Sequence, residues 1–442
     1  MNRPVSAAYL KEFRKYVVME PYPFVLDLKK SKGMWLATVD GDRIFDWAGF
    51  YGSKLIGFNH PRLSEKQYLD RLLTAANNRI ANPDFLTPEC VEYYRKLYEY
   101  APRCMRNPEL EIYAVNSGAE AVENLSKYFI NLYDAKRRKK QKPVRIRRMI
   151  YFEQAFHGRT IFTLNITQLS NSPVVTKDFE GIVLGNIKVP FPALDSSRSE
   201  SENTVFTDQC LQHIRQVLAE YKEEIVGIIV EPIQSAGGHR TASPRFFQNL
   251  SRLAHEFDVY LGFDEVQTAG GQCGSFFLTD SFDLPYPPQG IAAGKKLANG
   301  VVYMLKPMKD LGVLDSTWGG SLTDMVRFVQ EMKIVEEEKL LDAVPRKAAL
   351  LRHELENIAD ELPGRIFNIR GAGLYQGFSL SSPAALGSLL KTALNKEKLL
   401  LLETGTDSIR FRPVLDVTEA EIHLMLDMLR RCLTQLPVRK TG

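Results

Sequence analysis

The feature that most constrains this chain is the stretch V-Y-L-G-F-D-E-V-Q-T-A-G-G-Q at residues 259–272, followed by G-I-A-A-G-K-K-L-A-N at 290–299. Val259 to Phe263 is a short apolar run, which reads as a strand buried on both faces, as in a parallel sheet. It delivers Asp264 at its C-terminal end. After a glycine-rich loop, a second short run from Ile291 to Ala293 delivers Lys295 behind Gly294. In open parallel sheets, ligands sit outside the carboxyl ends of the strands.

A carboxylate and an amine reaching that edge from two strands suit pyridoxal phosphate. The amine holds the cofactor aldehyde as an imine, and the acid keeps the pyridine nitrogen protonated so that the ring acts as an electron sink. By themselves these residues fit equally a strand ending in D-E and a solvated G-K-K turn.

The length of 442 residues allows two domains around a large core. A net charge of +4 is small for that length, so no nucleic acid or other polyanion is indicated. The five cysteines are scattered without C-x-x-C, which argues against a metal or iron–sulfur site and fits free thiols in a reducing compartment. The N-terminal segment lacks an apolar signal core, and no uncharged run approaches membrane-spanning length. These features predict a cytoplasmic protein with no membrane contact.

Along the chain, residues 1–20 read as a docking helix. F-V-L-D-L, M-W-L-A-T-V and R-I-F-D-W read as strands, with a tight turn at Asp40-Gly41. The loop W-A-G-F-Y-G-S-K, Trp47 to Lys54, is either a packed turn or one wall of a substrate pocket. Helical patterns with proline breaks fill Pro61 to Tyr100. Ile112 to Val115 is a strand, and the helix after it carries Val122, Leu125, Phe129 and Leu132 on one face. The small residues Ser117, Gly118 and Ala119 at its start are ordinary caps that would also admit a phosphate. The basic run from Lys136 to Arg148 ends a helix and has no interleaved aromatics, so it reads as solvated surface. Met149 to Phe152 is a strand leading into E-Q-A-F-H-G-R-T. There Phe156 can stack on a planar ring and Arg159 can clamp a carboxylate; packing for Phe156 and His157, and a surface ion pair for Arg159, are the simpler readings. Residues 190–208 are polar and read as an exposed loop. Ile225 to Val230 is a buried strand leading to Glu231 in E-P-I-Q-S-A-G-G. D-S-T-W-G-G-S, Asp315 to Ser321, is a turn before a long helix. From about residue 322, helix, strands, helix, strand and helix make an α+β unit, in which S-I-R-F-R-P places Arg410 and Arg412 on either side of Phe411.

Taken in order, S-G-A-E-A, F-H-G-R-T, E-P-I-Q, D-E-V-Q, G-K, S-T-W-G-G and I-R-F-R-P resemble the class III (omega) aminotransferases, pyridoxal phosphate enzymes of fold type I. The resemblance runs from about residue 24 to 432. D-S-T-W-G-G-S-L-T-D-M-V-R and T-D-S-I-R-F-R-P are most similar to the L-lysine 6-aminotransferase branch; E-P-I-Q-S and D-E-V-Q-T are shared with 4-aminobutyrate aminotransferases. The resemblance implies an α/β fold with a large, mainly parallel-sheet domain at 66–325, a small α+β domain at 326–442, and residues 1–65 packing with the latter. It implies that Lys295 binds pyridoxal phosphate and moves the proton, that Asp264 pairs with the ring nitrogen, and that Val266 and Phe156 cover the ring faces. Gln267 would meet the ring oxygen. Ser117, Gly118 and Ala119 would hold the phosphate, joined by Thr317 of a second subunit in a homodimer with shared sites. Arg159 and Arg410 would take substrate carboxylates. The implied reaction is ping-pong, from an ω-amine such as that of L-lysine to a 2-oxo acid, 2-oxoglutarate.

Two positions depart from that pattern. Members that handle lysine and glutamate usually carry a second glutamate in E-P-I-Q-x-E-G-G, which pairs with the C-terminal arginine; here it is Ala236. Asp315 stands where the lysine enzymes usually have Asn. An unpaired buried arginine is costly, so either Asp315 or another acid replaces the missing partner, or the donor brings a carboxylate to Arg410. Other donors (4-aminobutyrate, ornithine, β-alanine, diaminobutyrate), a same-fold racemase or aminomutase, and a catalytically silent relative are the alternatives. Retention of Lys295, Asp264 and Gln267 argues against the last.

Overall fold

A computed structural model describes residues 3–81, 84–143, 146–179 and 182–436, so Val144 and Arg145 of the basic run lie outside the described residues. In chain order the first strands are β1 (Leu26–Lys32), β2 (Trp35–Thr38), β3 (Arg43–Asp46), β4 (Glu111–Val115), β5 (Arg148–Phe152) and β6 (Ile187–Val189). Next come β7 (Ile225–Val230), the short pair β8 (Ile233–Gln234) and β9 (Arg240–Thr241), β10 (Tyr260–Asp264), β11 (Gly290–Ala293) and β12 (Gly300–Met304). The C-terminal part adds β13 (Phe367–Ala372), β14 (Tyr375–Ser379), β15 (Leu399–Leu400), β16 (Leu402–Thr404) and β17 (Ser408–Arg410).

Seven of these form the central sheet, in the order β4-β12-β11-β10-β7-β5-β6. Only β12 runs against the rest. The all-apolar run I-V-G-I-I-V becomes β7 because all six residues are buried, as a strand covered on both faces requires. The parallel strands all end on one edge, and their ends deliver Asn116-Ser117, Glu153, Glu231, Asp264 and Gly294-Lys295 to it.

What brings a helix to that edge is a row of glycines. Gly227, Gly262 and Gly290 sit on the neighbouring strands β7, β10 and β11 beneath the helix Gly118–Lys139. A Cβ at Gly227 would lie 2.7 Å from the Phe129 ring, one at Gly262 2.8 Å from it, and one at Gly290 2.5 Å from Leu125. The helix therefore lies directly on the strand backbones. Its N-cap is Ser117, whose hydroxyl accepts from Glu120 N at 3.2 Å. Its last turn is basic, Lys136 to Lys139, as the helix dipole favours. Arg137 of that turn is buried and donates to Pro143 O at 2.7 Å, while most of the described run is exposed.

Two smaller sheets close over the edge. One has the order β1-β2-β3-β15, with β15 parallel to β3, so the N-terminal hairpin is completed by a strand from the far end of the chain. The other, β13-β14-β17-β16, is antiparallel and sets Gly377 opposite Arg410. Trp47 N donates to Leu400 O and Arg412 N to Trp47 O, both at 3.0 Å, so the loop after β3 is stitched to both sheets.

The expected helix at 1–20 is shorter, Pro4–Phe13. The segment 190–208 is corrected: a helix, Glu200–Glu220, begins inside it. Ser199 and Glu202 form a reciprocal capping box at its start, and a polar composition hid that S-x-x-E signal.

Replacing Gly262 with Val should push the helix Gly118–Lys139 off the sheet and lower the unfolding free energy by about 1–3 kcal/mol. Denaturant titration checks the stability. Pyridoxal phosphate titration of the same variant should show weaker binding, because the helix N-terminus moves with it.

Candidate active site

The functional candidates fall on two layers at the carboxyl edge. In the deeper layer, Asp264 ends β10 and is almost wholly buried. Its Oδ2 lies 2.7 Å from His157 Nδ1, and its Oδ1 accepts from Val266 N at 3.0 Å. Both oxygens are thus aimed by neighbours. The next residue, Glu265, is structural: it accepts from Thr268 Oγ1 and from the backbone N–H groups of Leu278 and Thr279. Val266 packs on Gly118, where a Cβ would come within 2.6 Å of the valine methyl. On the same small-residue seam, a Cβ on Gly294 would be 3.4 Å from Gly118 Cα, and one on Gly158 2.7 Å from Ala119 Cβ. Ser117, Gly118 and Ala119 thus pack beside Val266 and the residue preceding Lys295.

The outer layer is a cavity of about 730 Å³ whose walls include Tyr51, Phe156, Arg159, Gln267, Lys295 and Arg410. Lys295 is held at a left-handed φ of 52°, a conformation that costs roughly 1–3 kcal/mol and clusters at functional sites. With its amide oriented to satisfy both ends, Gln267 donates to Tyr51 O and accepts from Lys295 Nζ, each at 3.2 Å. Burial pushes the Lys295 amine down to about 8, with Arg410 and Arg412 adding to the effect and Asp264 opposing it.

Arg159 is exposed in the cavity wall and makes no ion pair among the described residues, against the surface-pair expectation. Arg410 is 7% exposed, and its Nε and Nη1 have no partner among the described residues. Burial, then the adjacent Arg412, lowers it to about 9; Glu231 is the acid that most opposes this. Arg412 is a framework residue, donating to Phe411 O, to Ser235 Oγ at 2.9 Å and to His239 Nδ1 at 3.2 Å.

Ala236 lines the cavity, so the position expected to carry an acid leaves Arg410 open to it. Asp315 does not line the cavity of its own chain: it is exposed and accepts from the Tyr113 hydroxyl. Thr317 is exposed in the same turn and is not brought to the cavity of its own chain.

Sequence reasoning took His157 for packing, yet it holds Asp264. It also passed over Glu231, whose Oε2 accepts from Phe156 N at 3.0 Å and whose carboxyl is pushed well above the usual range by burial and by Asp264. The signal available for His157 was its place in F-H-G-R-T, between two residues already singled out.

The arrangement fits pyridoxal phosphate. A helix N-terminus of small residues behind Ser117 suits a phosphate, a buried oriented acid suits the ring nitrogen, and an amine of lowered basicity suits the aldehyde. The class-III aminotransferase family model matches residues 17–433. The chain belongs to the class III aminotransferases. This aminotransferase is therefore pyridoxal phosphate-dependent, of fold type I. It is 31% identical to the L-lysine-epsilon aminotransferase of Mycobacterium tuberculosis, over 98% of this chain and 97% of that one. The Streptomyces clavuligerus enzyme of the same name is 30% identical over 95% and 93%. A lysine aminotransferase from M. tuberculosis, solved in its internal aldimine form, superposes with a TM-score of 0.90 at 28% identity, covering 97% of this chain and 99% of that one.

In the cofactor-free enzyme, the rate at which pyridoxal phosphate is captured and fixed by borohydride at Lys295 should rise about tenfold per pH unit below about 8 and level off above it, because only the neutral amine attacks. Peptide mapping locates the label, and Lys295→Ala should lose it. A midpoint near that of an ordinary lysine would contradict the burial effect.

Proposed function

We propose that this aminotransferase moves the ω-amino group of L-lysine to 2-oxoglutarate, giving 2-aminoadipate 6-semialdehyde and L-glutamate. The observation that carries the reading is a cavity where the amine Lys295 shares its walls with two guanidinium groups, Arg159 and Arg410. The similarity to lysine ε-aminotransferases along nearly the whole chain supports the donor.

When bound, pyridoxal phosphate supplies an aldehyde to take up the amine and a ring that draws electrons from the neighbouring carbon. Lys295 would hold the cofactor at rest and, once displaced, would serve as the base that takes the substrate's proton and the acid that gives it back. Its lowered basicity keeps about a tenth of it neutral at pH 7. Asp264, aimed by His157, would pair with the ring nitrogen. Val266 and Phe156 would hold the ring, Gln267 would bond its oxygen, and Ser117, Gly118 and Ala119 would hold the phosphate. Arg159 binds one substrate carboxylate and Arg410 another, each by a two-pronged contact.

The working unit in this reading is a homodimer in the cytoplasm, with Thr317 of a second copy completing the phosphate site. Trp318 in that turn is an exposed aromatic, which supports a second copy covering it. Five unpaired cysteines support a reducing compartment. No helix among the described residues is long and apolar enough to cross a membrane.

A second reading is favoured by one observation. Among the described residues Arg410 has two donors without a partner, and Ala236 shares the cavity wall with it, so a donor with a carboxylate next to its reacting amine would satisfy Arg410 in both half-reactions.

L-lysine added without a keto acid should move the absorbance of the cofactor-loaded enzyme from about 420 nm to about 330 nm. A band indifferent to lysine, but moved by donors that carry a carboxylate beside the amine, would replace the first reading by the second. Arg410→Gln should raise KM for 2-oxoglutarate about 10- to 100-fold, from loss of a charge-assisted contact of roughly 1.5–3 kcal/mol; steady-state kinetics read it.

A further inference from the structure

Next to Lys295 stands a second lysine that faces away from the cavity. Lys296 is 2% exposed, and no carboxylate pairs with it among the described residues. Burying an unpaired cation is expensive. Its three N–H donors nevertheless meet three acceptors: Gly52 O at 3.2 Å, Gln267 O at 2.6 Å and Tyr375 Oη at 3.0 Å. The stem runs along Gly270, where a Cβ would come within 2.7 Å of Lys296 Cε. That contact, together with Gly270's own φ of 110°, leaves no place for a side chain at this position of D-E-V-Q-T-A-G-G.

The three acceptors come from three separate segments at or behind the cavity wall: Gln267 lines it, Gly52 follows the wall residue Tyr51, and Tyr375 is fully buried. Gly52 closes the loop in which Phe50 and Tyr51 are held at positive φ, 50° and 59°, conformations that non-glycine residues leave unless tied. Gln267 faces Lys295. Tyr375 lies on β14 beside the position paired with Arg410, and Arg412 also packs over its ring, 4.2 Å from the centroid.

We propose that Lys296 is a positioning residue: it ties the strained Phe50–Gly52 segment to Gln267 and Tyr375, and thereby sets the wall that Lys295 works against. The proposal rests on Lys295 being the catalytic amine, but not on which donor it serves. The tie holds in either protonation state. As an ammonium, Lys296 donates to all three partners; as a neutral amine it donates to the two carbonyls and accepts from the Tyr375 hydroxyl. The groups facing it are Cys273, Glu265, Lys295, Arg412 and Tyr375. Burial lowers Lys296 to about 7, with Arg412 and Lys295 adding and Cys273 and Glu265 opposing. Because the buried state binds the proton less well than an opened one, closure of the segment strengthens as pH rises from about 7 towards 10 and weakens as pH falls through 7.

Amide hydrogen exchange on the cofactor-free full chain tests this. In Lys296→Met, exchange across residues 49–54 should speed up tenfold or more while the helix Gly118–Lys139 is unchanged. In the unsubstituted protein, protection of 49–54, corrected for intrinsic exchange, should rise by up to about tenfold per pH unit above 7, and Lys296→Met should abolish that slope. Tyr375→Phe keeps the ring and removes one partner, so a smaller effect in the same direction is expected should Lys296→Met fail to fold. With cofactor, KM for the amine donor should rise more than kcat falls. Unchanged exchange at 49–54 in the variant that folds, or a pH slope that survives Lys296→Met, overturns the proposal. Failure of the lysine-donor reading would instead appear as turnover with another amine and leave the exchange result intact.

Discussion

The helix Gly118–Lys139 touches the backbones of β7, β10 and β11 because glycine occupies the facing position on each. Side chains there would hold the helix off by more than an ångström. At contact, the helix start falls beside Val266 and Gly294, so the anion-attracting end of a 22-residue helix stands next to the acid of β10 and the amine after β11. The site is thus an outcome of helix–sheet distance before it is an outcome of any polar contact. Leu125 and Phe129 supply the buried apolar area that keeps the helix down.

Around that junction the electrostatics are uneven. Lys295, Lys296, Arg410 and Arg412 crowd one region with few carboxylates to answer them. Each is made less basic by burial and most by one another, and the two arginines stay charged because their ordinary affinity for a proton is so high. The cavity lined by Lys295 and Arg410 therefore favours anions. The phosphate, the carboxylates of a 2-oxo acid and the proton economy of Lys295 draw on the same excess of positive charge.

Much of this was legible residue by residue. The apolar runs that end in Asp264 and before Lys295 became β10 and β11, and the run ending at Glu231 became β7, because full burial demands that composition. The W-A-G-F-Y-G-S-K loop read as either a turn or a wall, and it is both. What stayed hidden depends on partners far apart in the chain. His157 meets Asp264 across 107 positions, and Lys296 meets Gly52 across 244, so no local pattern names the partner of either. The helix from Glu200 was hidden for a different reason: its polar first turns resemble a loop, and only the Ser199–Glu202 reciprocity distinguishes them.

The pairing of β3 with β15 also has a bearing on how the chain is made. Phe45 N and Trp47 N bond to Lys398 O and Leu400 O, so about four-fifths of the polypeptide is synthesised between the two halves of that ladder. During translation the hairpin of residues 26–46 must wait with one edge open, while the central sheet, whose strands are nearer in sequence, can form behind the ribosome. Contacts of such long separation are slow to close. The last event in biogenesis should therefore be capture of the N-terminal hairpin by residues 398–400, which makes assembly of the substrate-side wall a checkpoint that only a nearly complete chain can pass.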